Sequence, residues 1–229
     1  MDIRFSKIID ISLRLDERFS MHTPAGFTRD LQFQVEVLKD FDAPGGAGQI
    51  VRGAHMRLHA GTHVDAPEHF VRGGRQIHDI PLQTFLGDAV IADLTHRAPG
   101  GGITVQDLER TVGQTLRRGD RLLLRTDWNK RYWEKGWAEG SPYIEPAAVD
   151  WAIARGIVLL GLDFSHAKDA PSAPSKYYTS RALCEHGVLV MAYLNNLDKV
   201  TRQRVTLICF PLAIWNVESA PVRAIVLEE

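Results

Sequence analysis

The chain has 229 residues, 45% of them apolar and 24% charged, with a formal net charge of −1. That balance is ordinary for a globular protein and gives no electrostatic case for nucleic acid or an acidic membrane as a partner. No apolar run approaches the roughly twenty residues that span a bilayer. The N-terminal residues lack the apolar core of a signal peptide, and Cys184 and Cys209 lie in apolar surroundings without zinc-type spacing. The expectation is a cytoplasmic protein whose residues 1–229 form one domain.

In chain order, residues 8–13 read as a strand, followed by a loop punctuated by Pro24 and Gly26. Residues 43–48 are a glycine-rich loop, and residues 49–58 look extended. Residues 88–94 form a strand and residues 98–102 a turn. Thr104, with Asp107 three residues on, makes a capping-box pattern. It opens a helix carrying Val105, Leu108, Val112 and Leu116 at helical spacing, which Gly119 stops. Residues 121–126 are a strand, and Pro146 suits the first turn of a helix through Ala154 with Gly156 as its stop. Residues 157–162 read as a buried strand. Thr179 or Ser180 caps a helix to His186 closed by Gly187, and residues 188–194, 205–210 and 222–227 complete the strands. This alternation, with strands to spare, predicts a mixed-sheet α/β fold.

The chemistry concentrates in His59-Ala-Gly-Thr-His63-Val-Asp65-Ala-Pro-Glu-His69. Imidazole and carboxylate suit divalent zinc, manganese or iron. His59 and His63 are four apart, but Gly61 and the β-branched Thr62 and Val64 argue against a helix. A turn entering a strand is the better reading. It puts His63 and Asp65 on one face, and Gly61 lets the backbone fold so that His59 reaches the same point. Two imidazoles and a carboxylate then hold a metal from one side and leave positions open, as catalysis requires. Pro67 bends the chain and returns His69 over the site as a general base, for a water acidified by the metal beside a polarised carbonyl. His55, His78, His96 and His186, taken singly, read as ordinary polar residues.

The string HxGTHxDxPxH, with Phe70 and Gly73-Gly74 after it, resembles the signature of the cyclase-like metal-dependent hydrolases, a family that includes bacterial kynurenine formamidases and isatin hydrolases. Supporting landmarks are residues 9–12, Ile80-Pro81-Leu82, Gly119-Asp120, Leu124 to Trp128, Gly161-Leu162-Asp163, Pro211-Leu212 and residues 219–224. The resemblance implies a swivelling α/β fold of the β/β/α kind around a metal site, in a homodimer or homotetramer. It further implies hydrolysis of a C–N bond in a small amide, cyclic amide or imide. His59, His63 and Asp65 carry over as the ligands of Mn2+ or Zn2+, and His69 as the catalytic histidine. Kynurenine formamidases carry a further histidine and glutamate, twelve positions apart, where this chain has Ser180 and Ala192. One metal per chain is therefore expected.

His166, Trp128 and Tyr177 are the candidates for substrate contact. His166 follows the end of a strand, where α/β proteins place ligands. Trp128, Tyr132, Trp133 and Trp137 form an aromatic-rich segment that either walls a pocket for a flat substrate or covers the core, and Phe19, Phe27, Phe33 and Phe41 admit the same two readings. Other functions stay open: a lactone hydrolase, a cyclase or dehydratase using the same metal, or a non-catalytic relative that binds metal or a small ligand.

Overall fold

A computed structural model of the chain describes residues 5–16, 33–42, 44, 48–134, 137–165 and 168–229. Pro24, Gly26, Phe19, Phe27 and His166 lie outside the described residues. In chain order the elements are β1 (Lys7–Asp10), β2 (Phe33–Lys39), β3 (Val51–Met56), β4 (His63–Asp65), β5 (Leu86–Asp93), β6 (Gly102–Ile103), α1 (Val105–Val112), β7 (Arg121–Arg125), β8 (Tyr143–Ile144), α2 (Pro146–Ala154), β9 (Leu159–Leu162), α3 (Tyr178–Glu185), β10 (Leu189–Ala192), β11 (Arg204–Ile208), β12 (Ser219–Pro221) and β13 (Ile225–Glu228).

The main sheet has nine strands in the order β1-β13-β11-β5-β7-β9-β10-β4-β12. Its centre, β5, β7, β9 and β10, is parallel, and both flanks are antiparallel. The central strands are near-continuous runs of Leu, Val, Ile and Ala because both of their faces are covered. Val90, Ala92, Val190 and Ala192 point into a core shared with α1, α2 and α3. Their alternate neighbours Ala89, Ile91, Leu189 and Met191 join a second core. That second core also takes Ile9 and Val226 from one flank and Val64 and Ala220 from the other, so the sheet curls around it. The architecture is the curled, mixed-sheet α/β fold that the sequence implied.

Several boundaries differ from the sequence reading. Regular helix ends at Val112 rather than near Gly119, because Gly113 follows and the chain closes in a turn with Thr115 N donating to Val112 O at 2.9 Å. Leu116 is buried all the same. β10 stops at Ala192, where Tyr193 takes a φ of 58°. Phe33 opens β2, which pairs antiparallel with β3 as a two-stranded ribbon. β12 was not anticipated at all.

Candidate metal centre

The segment entering β4 is shaped by Gly61, which has a φ of +59° and whose added Cβ would meet Leu15 Cδ2 at 2.7 Å. The next residue pins the chain on two sides. Thr62 Oγ1 donates to Tyr193 O at 2.7 Å and accepts from Leu13 N at 2.7 Å. In β4, His63 pairs with Ala192 and Pro221, and Asp65 pairs with Val190 and Ser219. Register partners share a face, so His63 and Asp65 turn towards the helical layer with Val190 and Ala192, while Val64 enters the other core. Pro67 starts a single 3-10 turn, Pro67–His69, closed by His69 N donating to Ala66 O at 3.0 Å.

These constraints bring the motif together. His59 Nδ1 lies 2.9 Å and His63 Nε2 3.4 Å from Asp65 Oδ1. The rings of His59 and His63 meet edge to face at 5.1 Å, and the ring of His69 lies 4.5 Å from that of His59. His63 and Asp65 are fully buried. His59, His63 and Asp65 each offer one ligand atom, and these atoms lie within 4.8 Å of one another. Two imidazole nitrogens and a carboxylate oxygen converging there are the donor set that manganese and zinc take, and they fit such an ion.

The electrostatics separate the histidines. Burial works against a charged His59, but hydrogen bonds to Asp65 and Glu218 outweigh it and lift its pKa to about 9. A cation bound between these groups would compete with a proton on His59. Burial lowers the pKa of His69, which holds a neutral ring with a lone pair free to accept a proton.

Glu218 is the site residue that the sequence reading missed. Its Oε1 lies 2.9 Å from His59 Nε2, and with His59 and His69 it makes a second group of closely spaced ligand atoms. Only its place just before the Ser219-Ala220-Pro221 landmark could have drawn attention to it. Tyr193 also lines the site, its ring 5.6 Å from that of His63.

Of the residues suggested for substrate contact, Trp128 and Tyr177 are among the described ones. Trp128 is in the core, its indole N–H donating to Trp137 O at 3.0 Å, and the Trp137 ring meets that of Tyr193 edge to face at 5.8 Å. Tyr177 lies nearer, 6.0 Å from the ring of Phe70, which in turn touches His69 at 4.3 Å. Among the remaining histidines, His55 pairs with Glu36, His96 with Asp107, His186 with Ala182 O, and His78 stacks on Trp215.

A curled mixed sheet with a His–His–Asp group at one flank, and a further histidine against it, defines an α/β protein with a group that could hold a metal ion. The chain belongs to the cyclase family, whose sequence model, described as putative cyclase, matches residues 9–167. It is similar to a kynurenine formamidase of Bordetella petrii, 31% identical over 82% of this chain and 83% of the relative. A kynurenine formamidase of Bacillus cereus is 28% identical over 98% of this chain and 99% of that protein. Among solved structures, isatin hydrolase A from Labrenzia aggregata bound to benzyl benzoate superposes with a TM-score of 0.84 at 26% identity, over 97% of this chain and 93% of that one. These relatives are hydrolytic enzymes acting on non-peptide C–N bonds, and the present chain is an enzyme of the same hydrolase class. No helix among the described residues is long and apolar enough to cross a membrane.

Proposed function

We propose that the chain, working as one domain, is a mononuclear metal-dependent hydrolase that cleaves the C–N bond of a small amide, cyclic amide or imide. His59, His63 and Asp65 hold one Mn2+ or Zn2+, and His69 is the general base. The observation that carries this reading is the convergence of His59 Nδ1 and His63 Nε2 on Asp65, with the His69 ring stacked beside them but outside that trio. The metal, when bound, acidifies a water and polarises the substrate carbonyl. His69 accepts the proton of the attacking water and returns it to the departing nitrogen as the C–O bond forms and the C–N bond breaks. The ring of Phe70 lies 4.3 Å from that of His69 and 6.0 Å from that of Tyr177, an aromatic group that suits a flat substrate.

One ion per chain is supported by the residues around β4. Ala192 stands in register with His63, and the buried Ser180 lies on α3, so neither supplies the imidazole or carboxylate of a second site. Both ligand groups among the described residues share His59. Assembly as a homodimer or homotetramer is supported by the β2–β3 ribbon, whose Val35, Val37, Leu38 and Val51 are exposed. Buried free thiols at Cys184 and Cys209 suit a cytoplasmic setting. The test is reconstitution with Mn2+ or Zn2+ and assay on aryl formamides, isatin and simple cyclic amides and lactones. Metal-dependent amide or imide hydrolysis is expected, whereas turnover of lactones alone would move the assignment to a lactone hydrolase.

A further inference from the structure

We infer that Glu218 is the positioning residue that sets the ring of His59, holding Nε2–H so that Nδ1 is presented to the metal. The inference rests on the metal-dependent reading above and assigns the site a carboxylate outside the ligand trio. Each imidazole of that trio has two nitrogens with different neighbours. In His63, Nδ1 lies 2.8 Å from Gly61 O, and Nε2 turns to Asp65. In His59 the roles are exchanged: Nδ1 faces Asp65 at 2.9 Å, and Nε2 lies 2.9 Å from Glu218 Oε1. An acceptor on the far nitrogen selects the tautomer and stops the ring from turning, which is how outer carboxylates and carbonyls support metal-binding histidines. His63 needs no side chain for this because it is buried and uses its own backbone turn. His59 is a quarter exposed and reaches in from a loop, so its orientation depends on a partner.

Glu218 is well placed to be that partner. It precedes β12, its carbonyl accepts from Ala66 N at 2.8 Å, and the following residue pairs with Asp65. The carboxylate is thus tied to the strand that carries two of the ligands. A second ion held by His59, His69 and Glu218 is the competing reading of the same cluster. It would require His59 to give one nitrogen to each ion, and so to lose both ring protons, whereas a hydrogen-bonded Nε2–H asks nothing unusual of the ring.

The experiment compares wild type, Glu218→Ala and Glu218→Gln. Metal-free proteins are titrated with Mn2+ or Zn2+ against a competing chelator, with bound metal counted by elemental analysis and metal-free Tm measured alongside. Glu218→Ala should bind one ion per chain about 10–100-fold more weakly with the metal-free protein still folded, and Glu218→Gln, whose amide oxygen still accepts, should recover most of the affinity. Should Glu218→Ala fail to fold, Glu218→Met fills the space without an acceptor and takes its place. Unchanged affinity in the variant without an acceptor overturns the inference, as does a Gln variant no better than Ala. A fall from two ions to one overturns it in favour of a second site. If wild type binds no metal, the metal-dependent reading fails together with it, which separates the two kinds of failure.

Discussion

Asp65 and Asp163 are both fully buried carboxylates beside the central strands, yet they keep different company. Asp163 follows β9 and accepts from Thr126 N, Thr126 Oγ1 and Asp127 N at 2.6–3.0 Å. These neutral donors tie the ends of two parallel strands and hold the turn in which Asp127 takes a φ of 60°. Asp65 is met instead by His59 Nδ1 and His63 Nε2, nitrogens that can trade a proton for a metal ion. A buried carboxylate surrounded by hydroxyl and amide donors is a joint in the fold, whereas one surrounded by imidazoles is a candidate metal ligand. Equal burial therefore does not mean equal function, and the nature of the partners decides.

The sharpest test of that contrast is Asp65→Ala, which removes the group on which both imidazoles converge. Bound metal should fall from about one per chain to near zero, with turnover lost at least as completely as in the next variant, both read by elemental analysis and kinetics. His69→Ala should keep the metal and lower kcat by about 10²–10⁴-fold. Retained turnover there would remove His69 as the base.

Asp163→Ala should do the converse, leaving metal stoichiometry intact while lowering unfolding stability by on the order of 3 kcal/mol, because several buried donors lose their acceptor. Its pH behaviour follows from the same burial, which raises the pKa of Asp163 from 3.8 to about 7 against the opposing hydrogen bonds from Thr126 and Asp127. The native state then keeps a proton that the unfolded chain releases. The contribution of Asp163 is most favourable below pH 3.8, declines as pH rises towards about 7, and is level above it. Denaturant titrations across that window should show a slope in wild type that Asp163→Asn flattens.

The smallest effect is expected at the start of α1. There Asp107 N donates to Thr104 Oγ1 at 3.3 Å, and Thr104 N donates back to Asp107 Oδ2 at 2.8 Å. Thr104→Ala should cost about 1 kcal/mol and change neither metal content nor turnover, a control that stability loss alone does not empty the site.

How much was visible beforehand depended on distance along the chain. The His59–His69 segment was legible because glycine, β-branched residues and proline dictate its local course, and strand alternation alone puts His63 beside Asp65. The Pro146–Ala154 helix was legible for a similar reason, with proline at its entry and glycine just beyond its end. Glu218 was not, since it reaches His59 from 159 residues away on the lead-in to β12, a three-residue strand ending in proline that has no strand signature of its own. Trp128 was ambiguous in sequence because an aromatic after a strand serves a pocket or a core equally well. Its indole N–H has an acceptor inside the protein, which puts it in the core. The residues of the candidate site were readable where they are neighbours in sequence, and unreadable where the sheet alone brings them together.

The central claim is that Asp65 and its two histidines hold one catalytic ion. Elemental analysis of the reconstituted wild-type chain, with Asp65→Ala, His69→Ala and Asp163→Asn alongside, tests it most directly. About one manganese or zinc per chain in every protein except Asp65→Ala is the predicted result. No bound metal in wild type, two ions per chain, or full occupancy in Asp65→Ala would contradict it.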